Sequence, residues 1–176
     1  AGSTFSVNVN SNGVLSGSGT IGSPVTVNPG GRLAPGPSIK NLAINNQLTL
    51  AGEVEIELAN TPSLINDRVF AITSLNYGGT LMLTNVGGAP FVAGDQWLIF
   101  LAASSSGTFA NIVPATPGAG LEWDFNPANG VLRVVSAGPV TNPPPVLTSV
   151  VAGGNYEIHW APEYTGFVLQ SQTNAL

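Results

Sequence analysis

The sequence predicts an all-β protein: a parallel β-solenoid, right-handed and β-helix-like, followed by a partial β-sandwich-like C-terminal module. Three observations carry that expectation. Apolar and polar residues alternate over very short runs, at 25–27 (VTV), 42–44 (LAI), 48–50 (LTL) and 54–58 (VEIEL), and a period of two marks a strand with one buried face. Gly, Pro or Asn follows almost every run, as in Asn28-Pro29-Gly30-Gly31 and Asn45-Asn46, so the chain turns after each. Strands this short bury too little apolar surface to stand alone. A chain that keeps turning and presenting the same alternation must stack its strands, which is the pattern of a solenoid.

Taken in order, residues 5–9 (FSVNV) give a first strand, with Phe5, Val7 and Val9 on one face. Val14-Leu15, Thr20-Ile21 and Val25–Val27 follow at short intervals. Residues 33–39 (LAPGPSI) exclude a helix, because two prolines and a glycine break it. From Glu53 the strands lengthen. Glu53, Glu55 and Glu57 alternate with Val54, Ile56 and Leu58, which sets three carboxylates on a solvated face. Residues 60–67 read as a loop, followed by strands at 69–72 and 80–84. Residues 97–101 (WLIFL) are apolar on both faces and read as one deeply buried strand, and 102–107 as a small-residue loop. Residues 121–125 and 131–135 flank Asn126-Pro127-Ala128-Asn129-Gly130 and form a terminal hairpin. The expected organisation is a solenoid with its hairpin over 1–138, a Pro-rich linker over 139–146 containing Pro143-Pro144-Pro145, and partial immunoglobulin-like strands over 147–176. Three strands fall short of the seven of a full sandwich, which points to a missing partner or a longer parent.

Only 7 % of the 176 residues are charged, against about 25 % in an ordinary soluble domain. Asn, Ser and Thr supply the polarity instead, and they stack in register where like charges would repel. A net charge of −5 with four scattered basic residues, Arg32, Lys40, Arg68 and Arg133, argues against nucleic acid as a partner. Cysteine is absent, which rules out disulfides and thiolate metal sites. No stretch is long and apolar enough to span a membrane as a helix. Ala1-Gly2-Ser3-Thr4 is compatible with the new end left by small-residue cleavage on secretion.

The run 15–22 (LSGSGTIG) with 25–36 (VTVNPGGRLAPG) resembles the autotransporter-associated β-strand repeat of bacterial surface proteins. Residues 94–100 (GDQWLIF) with 106–110 (SGTFA) are similar to the end of such passenger regions. Residues 164–174 (YTGFVLQSQTN) resemble a tail of large secreted repeat proteins. The resemblance implies a right-handed parallel β-helix exported to the bacterial cell surface, and it brings no catalytic residue.

Candidate chemistry is sparse. Residues 17–22 (GSGTIG) fit the dinucleotide pattern G-x-G-x-x-G, but Pro24 and a strand follow where a helix is needed, and the first acid is Glu53. They read as turn glycines. Carboxylate pairs for glycoside hydrolysis, Glu122 with Asp124 or the trio of Glu53, Glu55 and Glu57, sit on open strands without a cleft. Those acids lack a calcium-loop pattern, His159 has no companion for zinc, and Ser104-Ser105-Ser106 has no base arranged around it. Alternation places Trp97, Trp123 and Trp160 in cores. Tyr77, beside Gly78-Gly79, and Tyr164, near Pro162, are the aromatics left for stacking on a sugar. The expectation is therefore a non-enzymatic extracellular structural protein of the bacterial surface: a rod, stalk, adhesin body or self-assembling filament subunit. It needs no cofactor or metal, and its partners are other copies of itself or the rest of a longer surface protein. The alternative is a carbohydrate-binding adhesin module using Tyr77 and Tyr164.

Overall fold

The structure, a computed structural model, describes residues 5–60, 63 and 65–138, and the backbone of 148–152 and 155–159. The chain divides into two compact units, 1–138 and 139–176. The first is a β-solenoid. Its first coil is β1 (Val7–Val9), β2 (Val14–Ser16) and β3 (Gly19–Ile21). The second is β4 (Val25–Val27), β5 (Arg32–Ala34) and β6 (Asn41–Ile44). The third is β7 (Leu48–Leu50), β8 (Glu53–Ala59) and, after the short β9 (Ile65–Asn66), β10 (Arg68–Ile72). The fourth is β11 (Leu75–Tyr77), β12 (Thr80–Asn85) and, after β13 (Gln96–Leu98), β14 (Phe100–Ala102). A fifth coil begins with β15 (Ser105–Gly107) and β16 (Asn111–Val113), and β17 (Leu121–Asn126) with β18 (Val131–Ser136) closes the unit.

Corresponding strands stack in parallel into three sheets. Sheet A runs β1-β4-β7-β11-β15, sheet B runs β2-β5-β8-β12-β16 with β9 at the side of β8, and sheet C runs β3-β6-β10-β14. Period two sends every second side chain inward, so columns of like residues pack along the axis. Leu15, Leu33, Val54, Leu81 and Ile112 form one column, and Ile21 with Ile44 belongs to another. Leu33, Ile44, Val54, Ile56, Leu58, Val69 and Leu81 are fully buried, each side chain contributing about 1.5–3 kcal/mol. The short strands are stable only because each stacks on at least one neighbouring coil.

The coils widen along the chain. Val7 lies opposite Val25, Val25 opposite Leu48, Leu48 opposite Leu75, and Leu75 opposite Ser105, giving spacings of 18, 23, 27 and 30 residues. The growth falls at the join from sheet B to sheet C, which lengthens from residues 17–18 through 35–40 and 60–67 to 86–99. The join from A to B stays tight and is built on glycine. The N–H groups of Arg32, Glu53 and Thr80 donate to the carbonyls of Gly13, Gly31 and Gly52, at 2.9, 2.9 and 3.0 Å. Backbones approach so closely there that a side chain at Gly52 would run into the carbonyl oxygens of Gly31 and Asn28.

The wide end is sealed. β13, β18 and β17 make an antiparallel sheet whose Leu132 and Val134 are buried against the solenoid. Gly130 O accepts the Ile99 N–H at 3.0 Å, and Pro127 O accepts the Ser105 hydroxyl at 2.7 Å. Beneath lies an aromatic plug in which Tyr77 meets Phe100, Phe109 and Phe125 edge-on, at ring-centroid distances of 5.4, 5.2 and 5.2 Å.

Residues 97–101 depart from the expected single strand. The chain leaves the capping sheet after Leu98 and enters sheet C at Phe100, so Trp97, Ile99 and Phe100 are buried while Leu101 is 49 % exposed. The run is apolar because it crosses between two packed layers. The expected loops at 60–67 and 102–107 hold the short strands β9 and β15. In the second unit, β19 (Thr148–Ala152) and β20 (Asn155–His159) pair antiparallel. The Pro-rich linker, Trp160, Tyr164 and the rest of the expected immunoglobulin-like strands lie outside the described residues.

Candidate functional site

The tyrosine expected to stack on a sugar is in the core. Tyr77 is 5 % exposed, and desolvation pushes its phenol pKa well above the usual range. Gly78 and Gly79 mark a turn that carries the chain directly beneath the next coil, so the neighbouring tyrosine is covered by Phe109 and Phe125. This removes Tyr77 as a glycan contact. Trp97 is likewise buried, its Nε1–H donating to Ala59 O at 3.0 Å, and half-buried Trp123 donates to Pro114 O at 3.0 Å.

The acidic residues divide by environment. Glu53 is exposed on sheet B, and Glu55 reaches Arg32 at 3.1 Å. Glu122 and Asp124 are exposed on β17, where Asp124 lies opposite Arg133. Glu57 instead faces Asp67, a residue that the loop-like reading of 60–67 did not single out. Asp67 is 1 % exposed. Its Oδ1 accepts the Lys40 N–H at 2.7 Å and its Oδ2 the Glu57 N–H at 2.9 Å, so one carboxylate ties coil two to coil three at their widening corner. Burial raises the Asp67 pKa, while the two N–H donors pull the other way. Glu57 is also raised, by burial first and then by the charges of Asp67 and Glu55, and its Oε2 is buried without a hydrogen-bond partner among the described residues. Two carboxylates with raised pKa values invite an acid–base reading. Here both Asp67 oxygens are engaged by backbone, so the group acts as a clamp. Asp95 does the same one coil on, its Oδ2 accepting from Val92 N–H at 3.0 Å and Asn60 Nδ2 at 3.1 Å.

Two shallow grooves lie on the outer faces. One, of about 220 Å³, runs over sheet A between Gln47, Thr49, Ser74, Asn76, Ser104 and Ser106, and none of its lining residues is charged. The other, of about 260 Å³, lies beside sheet C with Ile39, Lys40, Asn41, Ile65, Asn66 and Arg68. Among the described residues no three metal-ligating side chains cluster, and no helix is long and apolar enough to cross a membrane. No family model matches the chain, and no curated protein matches it in sequence. Among the described residues β1, β2 and β3 are the outermost strands at the narrow end, and Phe125, Pro127 and Gly130 lie over the wide one.

Proposed function

We propose that this chain is a rigid structural module of the bacterial cell surface, a segment of an extracellular stalk or adhesin body, with no catalytic step of its own. The observation that carries the reading is the continuous stack of three parallel sheets around unbroken apolar columns, closed at the wide end by the chain's own antiparallel sheet. A stack held by nearest-neighbour coil contacts is stiff along its axis and must be unravelled coil by coil. The resemblance of 15–22 and 25–36 to the autotransporter-associated repeat supports the extracellular setting, as does the low charge. The test is single-molecule pulling between cysteines placed at Ser6 and Ser136, the natural chain having none. A module that carries tension should lengthen in discrete steps that match coils of 18 to 30 residues. Smooth extension without steps would sink the reading.

A further inference from the structure

We propose that the outer face of sheet C binds a carboxylated sugar chain, its carboxylate held by Lys40 and Arg68 and a sugar ring resting on Phe70. Such a ligand suits the adhesin body proposed above, but the inference stands on the groove itself and not on any load the module carries.

Charge points to an anion. Four cations serve a chain of net charge −5. Arg32 is bridged to Glu55, and Arg133 stands across from Asp124 in the capping sheet. Lys40 and Arg68 form no ion pair among the described residues, and both line the groove of about 260 Å³. A smaller groove, of about 80 Å³, shares Asn41 and Arg68 with it, and no acid lines either. Asp67, next in sequence to Arg68, is buried with both oxygens on backbone N–H groups. Two uncompensated cations in an acid-free groove attract a negative group.

Arg68 is set to receive a carboxylate. Its Nε–H donates to Leu98 O at 3.0 Å, which fixes the plane of the guanidinium. Among the described residues nothing engages its two terminal nitrogens. A guanidinium held in this way offers paired N–H groups that match the two oxygens of a carboxylate. Asn41 lies opposite Arg68 in the register of β6 and β10 and is exposed, so its amide can donate to and accept from a hydroxyl.

The ring platform is set by the backbone. Val69 lies opposite Phe100 but Ile72 opposite Ala102, so β10 carries one extra residue. This bulge falls at Phe70-Ala71, where Ala71 takes a φ of +61°, and a bulge re-aims the side chains around it. Val69 is in the core, so Phe70 faces outward, half-buried beside the small Ala43 of β6. Phe70 lines the smaller groove together with exposed Leu101, Asn41 and Arg68. An aromatic face of this kind packs against the C–H groups of a pyranose ring while the rim engages its polar groups.

The same features disfavour other anions. β6 and β10 have strand neighbours on both edges, which leaves no edge there for an acidic peptide to join as a strand. Two cations are few for a polyphosphate, whose affinity grows with each phosphate neutralised. One guanidinium fork, one ammonium, one amide and one ring face match a carboxylate, hydroxyls and a sugar ring.

The test is isothermal titration of the 176-residue chain at low salt with a galacturonate tetramer, its methyl ester and an oligoglutamate. The acid tetramer should bind, and its ester should bind roughly tenfold or more weakly. Lys40→Gln alters only an exposed side chain and should weaken the tetramer to a similar degree. Phe70→Leu keeps an apolar side chain without the ring and should weaken it roughly threefold or more. Arg133→Gln, outside the groove, should leave the affinity unchanged. The proposal is overturned by no binding of the tetramer at millimolar concentration, by equal binding of the ester, or by indifference to Lys40→Gln and Phe70→Leu. Tighter binding of oligoglutamate assigns the groove to acidic peptides and overturns it as well. Stepwise unravelling under force is independent of all these outcomes, so the two readings fail separately.

Discussion

At the scale of single residues, the sharpest feature is the clamp at Asp67. Removing it in Asp67→Ala strips the partners from the Lys40 and Glu57 N–H groups, and should lower unfolding stability by about 1–3 kcal/mol in urea melts. The neighbouring Glu57 gives a pH signature of known sign. Its folded pKa is raised, so the folded chain holds this proton more firmly than the unfolded chain does. Stability from this pair then falls as pH rises from the ordinary carboxylate range through the raised folded values, and returns on acidification. Glu57→Gln abolishes the titration and the repulsion with Asp67. Thermal melts from about pH 4 to pH 7 should show the variant melting above the parent at neutral pH, with the difference shrinking as pH falls. A difference that grows on acidification would contradict the assignment. None of this was legible in the sequence, because burial of Asp67 depends on partners 10 and 27 residues away. Tyr77 misleads for the same reason: its local setting beside two glycines reads as an exposed turn, and its cover comes from Phe109 and Phe125.

At the scale of elements, strand existence was readable and strand destination was not. Runs such as VTV at 25–27 and LTL at 48–50 declare their inward faces by alternation alone, and the hairpin β17–β18 declares itself through the turn at Asn126–Gly130. The break between β13 and β14 is invisible in WLIFL, since a crossing between two packed layers has the same composition as one buried strand. Glycine content likewise signals turns without showing which glycines are stacked. Gly52 and Gly22 separate the two cases. Gly52→Ala forces a methyl into the A-to-B corner against two carbonyls, and should destabilise by about 1–3 kcal/mol. Gly22→Ala, in the dinucleotide-like stretch, meets nothing nearby and should stay within about 0.5 kcal/mol of the parent. Equal losses in chemical denaturation would mean that corner stacking is not what holds adjacent coils together.

At the scale of the whole solenoid unit, its two ends are physically unlike, and that asymmetry sets where it opens. Coil stability is a sum of intrinsic terms and contacts with neighbouring coils. Among the described residues β8 and β12 have strand neighbours on both edges, while β1, β2 and β3 at one end and β14, β15 and β16 at the other have one each; only the second end is also covered, by Phe125, Pro127 and Gly130 against Phe109, Ser105 and Phe100. Opening should therefore begin at the narrow end, which is also the smallest coil and buries the least apolar surface. Hydrogen–deuterium exchange on the dilute chain should show amides of residues 7–21 exchanging first among the strands of the solenoid, and those of 53–58 and 80–85 last. Exchange that is uniform along the stack would mean that the coils open as one cooperative block, and the narrow end would then hold no special role in stability.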